Sequence, residues 1–360
     1  MPQKKKAVLT YLLICALALL LFFYSDRALA SAKEALGLCA RSLIPSLFPY
    51  LVLSELIIKS GLGVKISRIF ARPAKKLFGI GGEGACAFFC GAVCGFPVGA
   101  LTAVTLYEEG DISKTEASRL LLFCNNTGPG FLISGVGAAM FGSARFGVLL
   151  YVVQLFCALI IGVVSKKFRV PDKCPAAARQ MRKSVLGAPL FTDAVACAAK
   201  NMISVCGYIV FFSVLSGVLS SFFPEAVVSG LLEISSGCAA AAELLSSGAS
   251  ETLAASVCAF VVGWSGLSVH AQTAAICRKS DIPLLPYIAA KFVQGALCSL
   301  FVFLCFTAFP AFSLPAFADA ESRANTVPVL LPFAVNFLFI FAVIKNLIKK
   351  CGKKRFFVIL

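Results

Sequence analysis

Of 360 residues, 59% are hydrophobic and 14% charged, against roughly 45–50% and about 25% in soluble globular domains. That apolar excess needs lipid to cover it, which excludes a soluble enzyme and predicts an all-α fold, a polytopic transmembrane helical bundle. The formal charge of +16 sits between and beside apolar runs, with no aromatic-interleaved basic surface, so it marks cytoplasmic loops and not nucleic-acid binding.

Residues 1–34 are read as a first transmembrane span and outer loop. Lys4 to Lys6 precede an apolar run from Ala7 to Tyr24, close to the roughly 20 residues that cross a hydrocarbon core. Ala28-Leu29-Ala30 resembles a signal-peptide cleavage site, but the run exceeds the usual core of roughly 7–15 residues. An uncleaved span is therefore preferred.

Residues 35–165 form a first membrane repeat. A proline-containing helix, Ser42 to Ile58, leads to a basic amphipathic stretch from Gly61 to Lys76, with Leu62, Val64, Ile66 and Ile69 toward lipid. The segment Cys86 to Leu106 is broken at Gly95-Phe96-Pro97-Val98-Gly99. Such a turn suits the tip of a re-entrant hairpin, with Gly95, Pro97 and Gly99 offering backbone lining, or a tight helix crossing. Cys86, Cys90 and Cys94 share a helical face that thiolate ligation would use. Ala87, Gly91, Gly95 and Gly99 repeat at the same spacing, the small-xxx-small pattern of close helix packing, so no metal or other cofactor is expected. Glu108, Glu109, Asp111 and, later, Asp281 are assigned to helix ends beside Lys114 or Lys279.

The strongest break is Cys124-Asn125-Asn126-Thr127-Gly128-Pro129-Gly130, set between apolar runs. Pro129 lacks an amide hydrogen and the glycines tolerate unusual angles, so the helix should unwind at membrane depth. Asn125, Asn126 and Thr127, with loose carbonyls near Gly128, then suit a neutral polar solute or a cation. The alternative is a hydrogen-bonded kink that locks neighbouring helices. After the span Phe146 to Val164 comes a basic cytoplasmic linker, 166–188, carrying Pro171 and Pro175.

Residues 189–309 form a second membrane repeat, with apolar spans at Met202 to Phe223 and Pro286 to Phe309. Between them, Glu225 to Ser247 either crosses or re-enters, and it carries Glu233, Ser235 and Ser236; a carboxylate there needs a partner or a function. Leu253 to Ile276 is interrupted at Ser265-Gly266 and contributes Ser268, His270 and Gln272. The serines and glutamine are candidate cavity lining, and His270 is a packing residue or a proton carrier. Residues 310–360 hold a loop, a last span from Val327 to Ile344 and a basic tail. The total is about eight crossings, give or take two.

The two halves resemble each other. Gly95-Phe96-Pro97-Val98-Gly99 and Gly266-Leu267-Ser268-Val269-His270 are each followed by a polar turn ending in Asp-Ile, at Asp111 and Asp281, which suggests two internal repeats with interrupted helices and re-entrant hairpins. Glu233-Ile234-Ser235-Ser236-Gly237, Asn125-Asn126-Thr127-Gly128-Pro129 and these two motifs resemble the sporulation integral membrane protein family YlbJ, which belongs with the nucleoside-recognition or Gate-domain group. The resemblance spans roughly Arg41 to Phe309. It implies a multi-pass bacterial inner-membrane protein, at the cell membrane or the membranes around a developing spore. The partners implied are the lipid bilayer, a small-molecule solute such as a nucleoside, and other sporulation membrane proteins, with oligomeric state left open. A non-transporting assembly factor for the spore envelope and a divalent-metal permease are the competing readings.

Overall fold

The computed structural model describes residues 3–60, 71–168 and 187–308. The surface stretch 61–70, most of the linker, the last span Val327–Ile344 and the basic tail lie outside the described residues. Every regular element among the described residues is helical.

Helix α1 (Gln3–Phe23) meets α2 (Ser25–Leu38) at a bend of 90°. Leu12, Phe22 and Phe23 stay exposed on α1, as expected of side chains whose solvent is lipid. A π-helical stretch, Cys39–Leu43, joins α2 to α3 (Ile44–Lys59), which carries Pro49 inside it. A short helix α4 (Ala71–Leu77) turns by 92° into α5 (Gly82–Cys94). There follow α6 (Val98–Glu108), α7 (Lys114–Cys124), a π-helical segment Phe131–Met140 and α8 (Ala144–Ser165). Beyond the linker run α9 (Ala188–Leu219), α10 (Glu225–Leu232), α11 (Ile234–Ser246), α12 (Glu251–Trp264), α13 (Gly266–Cys277) and α14 (Leu285–Ala308).

Among the described residues four segments are long and apolar enough to cross a membrane: α8, α9, the α12–α13 pair and α14. Two bent pairs, α1–α2 and α4–α5, pass the same test together, for up to six by length and composition, although α5 belongs to a hairpin that turns back. The sequence expectation is about eight crossings, give or take two, including a last span that lies outside the described residues, and two of the segments it left open turn back. Helices α5 and α6 fold against each other, and a Cβ on Gly91 would come 2.9 Å from the Gly99 Cα. At the turn Gly95 has φ +81°, a region where glycine carries no Cβ penalty. Glu225 to Ser247 makes a second hairpin. At about 1.5 Å per residue α10 is roughly 12 Å long and α11 roughly 20 Å, neither enough to cross. The pair closes at Gly237, where a Cβ would lie 2.7 Å from the Gly230 Cα. Leu253 to Ile276, by contrast, runs on through its break as one span.

Polar contacts fix the direction of each element. Arg119, midway along α7, donates to the carbonyls of Ser165 at the end of α8 and of Phe78 after α4, and Lys166 donates to Lys76 O. These basic ends mark the cytoplasmic face. The chain leaving α13 reaches the same face, where Ser280 Oγ donates to Glu108 at 2.8 Å and Lys114 lies 3.3 Å from Asp281. So α7 leaves the cytoplasmic face while α12–α13 arrives at it. Hairpin, interrupted helix and straight helix thus occur twice in opposite senses: α5–α6, α7 with Phe131–Met140, α8; then α10–α11, α12–α13, α14. This is an inverted-repeat arrangement.

Two sequence readings change. The motif register paired Gly95-Phe96-Pro97 with Gly266-Leu267-Ser268, but the fold pairs the Gly95–Pro97 turn with Glu233, and the 125–130 break with Ser265–Gly266. A glycine-rich break reads alike whether the chain reverses or continues; helix packing on either side decides. Likewise, Glu108 and Asp281 clip the two cytoplasmic turns together and do not cap helices, while Ser113 Oγ caps α7 by accepting from Glu116 N.

Candidate functional site

Each hairpin tip abuts the break of an interrupted helix. A Cβ on Gly95 would lie 2.6 Å from Gly128 N, and one on Gly266 would lie 3.0 Å from Leu232 O and 3.1 Å from the Glu233 Cα. Trp264 Nε1 adds a bond to Leu231 O at 3.0 Å. Cis Pro97 ends the first turn, and Ser265 and Gly266 have φ +71° and +74° at the second break. Backbone groups freed in this way need partners that lipid does not offer.

At the first break those partners are side chains from α8 and α14. Gln154 accepts from Thr127 N at 3.1 Å and donates to Thr127 O at 3.0 Å, so one amide serves both backbone groups. Gln294 donates to Asn126 Oδ1 at 2.9 Å and to Gln154 O at 3.1 Å, while Asn126 Nδ2 donates to Phe123 O. Asn125 Nδ2 reaches Thr273 Oγ1 and Tyr287 OH. The centre of the network is Lys291, 0% exposed, whose ammonium donates to Asn125 O at 3.0 Å and Gln294 Oε1 at 2.8 Å. Both acceptors are neutral oxygens, an arrangement in which charge-assisted bonds offset part of the desolvation cost.

Beside the network lies a narrow cavity of about 20 Å³, lined by Phe96, Thr127, Gly128, Glu233, Ser235, Ser268 and Gln272 among apolar neighbours. It has room for about one water molecule. A larger vestibule of about 390 Å³ adjoins it, lined by serines including Ser216, Ser229 and Ser236, by Glu34, Glu225 and Glu243, and by Arg41. The vestibule reaches Ser220 at the end of α9 and Met140 before α8, so it opens on the face opposite the basic loops. Ser235 lines both spaces.

The predicted site residues therefore separate. Thr127, Gly128, Glu233, Ser235, Ser268 and Gln272 share the inner cavity, and Ser236 faces the vestibule. Asn125 and Asn126 lie in the network that joins the two halves. Gly99 packs on the Cys124 carbonyl, where a Cβ would come within 2.1 Å of the oxygen, and Gly95, Pro97 and Gly266 build the tips and breaks. Ser265 Oγ donates to Val262 O. His270 stands edge-on between Trp264 at 4.3 Å and Tyr287 at 5.3 Å, its ring nitrogens without a protein partner. Among the described residues no three His, Cys, Asp or Glu side chains come together as metal ligands. Sequence reasoning missed Lys291, Gln154 and Gln294; the available signal was a lone lysine, with two glutamines, inside otherwise apolar spans.

No family model and no solved structure matches the chain. A curated relative does: the sporulation integral membrane protein YlbJ of Bacillus subtilis (strain 168), 29% identical over 316 residues, which is 76% of this chain and 76% of that protein. Over that length the chain is similar to the YlbJ family. It is a multi-pass integral membrane protein, as both the YlbJ relative and its own apolar helices require.

Proposed function

We propose that this YlbJ-like protein acts in spore formation by moving a small, polar, nucleoside-like solute across its membrane, between two inverted repeats. The observation that carries this reading is that the outer vestibule and the inner cavity share a wall at Ser235. A vestibule of about 390 Å³ falls in the size range of small-molecule sites, and its hydroxyls supply donors and acceptors for a sugar-like or amide-bearing solute. The inner cavity admits only about one water, so passage requires the hairpin tips at Gly95 and Glu233 to move. Inverted repeats with substrate sites at broken helices near mid-membrane are the common plan of secondary transporters. The relative's name supports the link to sporulation.

Proteoliposomes containing the purified chain should show saturable flux of one or more members of a panel of labelled nucleosides and other small polar solutes. Ser268→Leu, which fills the inner cavity, should lower that flux to the level of empty liposomes. No flux above empty liposomes in either gradient direction, for any solute of the panel, would sink the reading.

A further inference from the structure

Glu233 is 0% exposed at the tip of a hairpin inside the membrane. Its Oε2 accepts from Ser236 N at 2.8 Å and Ser236 Oγ at 3.2 Å. Its Oε1 has no hydrogen-bond partner, and no Lys or Arg forms an ion pair with it among the described residues. Lys291, the buried cation of the neighbouring network, is committed to Asn125 O and Gln294 Oε1. A buried carboxylate left this way is costly unless something positive meets it.

The groups around it are short of partners in the same way. Thr127 Oγ1, Ser235 Oγ and Gln272 Oε1 are buried without hydrogen bonds, and all three residues line the cavity that Glu233 lines. Ser235 adjoins the Glu233 carboxylate outside hydrogen-bond geometry. Gln272 uses its amide nitrogen on Ser268 Oγ at 3.5 Å, leaving the oxygen end spare. Buried polar groups are nearly always satisfied, and a cluster that is not calls for a water or an ion.

From this cluster we infer that the inner cavity is a binding site for one small, hard monovalent cation of the Na+ or Li+ kind, held by Glu233 Oε1, Gln272 Oε1, Thr127 Oγ1 and Ser235 Oγ. The donor set is oxygen throughout, which selects against soft metals. A single carboxylate balances a single charge, whereas a divalent ion would leave an uncompensated one at membrane depth. The volume matches one dehydrated ion and excludes an organic solute. Occupancy ties the second hairpin tip, through Glu233 and Ser235, to the unwound helix at Thr127 and to α13 at Gln272. The cation is the coupling ion if the transport reading above holds, but its binding requires no transport and is measured without it.

The test uses the purified full chain in nanodiscs at constant pH and ionic strength, with choline chloride replaced stepwise by NaCl, LiCl or KCl. Thermal unfolding and equilibrium binding of radiolabelled Na+ are the readouts. The wild type should show a saturable rise in Tm with Na+ or Li+, and Glu233→Gln should abolish both the rise and the bound label. Thr127→Val and Gln272→Leu should each weaken the apparent affinity by about tenfold, the loss of one charge-dipole contact. A wild type that ignores all three cations, or a Glu233→Gln protein that still responds, overturns the assignment in favour of a proton or a water. If Glu233→Gln fails to accumulate in the membrane, the other two variants decide: unchanged affinity in both overturns it.

Discussion

Lys291 carries a positive charge into the most buried part of the protein, and what surrounds it is carbonyl and amide oxygen. Replacing it with methionine keeps the length of the stem but strands Asn125 O and Gln294 Oε1, acceptors on two buried residues. Leaving buried acceptors unpaired costs about 1–3 kcal/mol apiece. Lys291→Met should therefore lower Tm in detergent by several degrees, whereas Lys200→Met, at an exposed position of α9, should leave it unchanged. Equal behaviour of the two variants would remove Lys291 from the centre of the network. The sequence announced Asn125, Asn126 and Thr127 as a polar break, but not that Gln154, Gln294 and Lys291 would answer them. Those partners sit 27 or more residues away, and no local pattern reports a contact of that range.

Among the elements, the two re-entrant hairpins set the architecture, and glycine at a few positions allows them. A Cβ on Gly91 would sit 1.8 Å from the Cys124 carbonyl oxygen, a clash with backbone that no rotamer relieves. Gly91→Ala should fail to accumulate as folded protein in the membrane, as judged by size-exclusion profile. Gly207, in the middle of α9, has nothing within 4 Å of its Cβ position. There alanine should be tolerated, with a gain of at most about 1 kcal/mol from helix propensity. The small-xxx-small reading of the Cys86–Gly99 stretch is thus explained by α5, α6 and the end of α7 meeting at backbone distance. What the spacing left open was whether helices separated by Gly95 fold together or cross different neighbours.

For the molecule as a whole, the inverted arrangement of the two repeats puts the vestibule and the basic turns on opposite faces. Ser31→Cys and Ser220→Cys, on the vestibule wall, should react with a membrane-impermeant maleimide added to intact cells, above the background of the parent protein. Lys114→Cys, beside Asp281 at the other face, should react only after permeabilisation. Labelling of all three from the same side would contradict the opposed repeats.

Sequence alone determined that this chain lives in a bilayer, that it is helical and which segments are interrupted. These follow from composition, run length and charge position, properties that the bilayer reads locally. Tertiary structure decided which interrupted segments reverse and which run on, how the repeats pair, and that Glu233 rather than Asn126 faces a cavity. Those outcomes depend on backbones approaching to van der Waals distance and on polar groups finding partners on other helices. Such long-range contacts form only once the helices have packed.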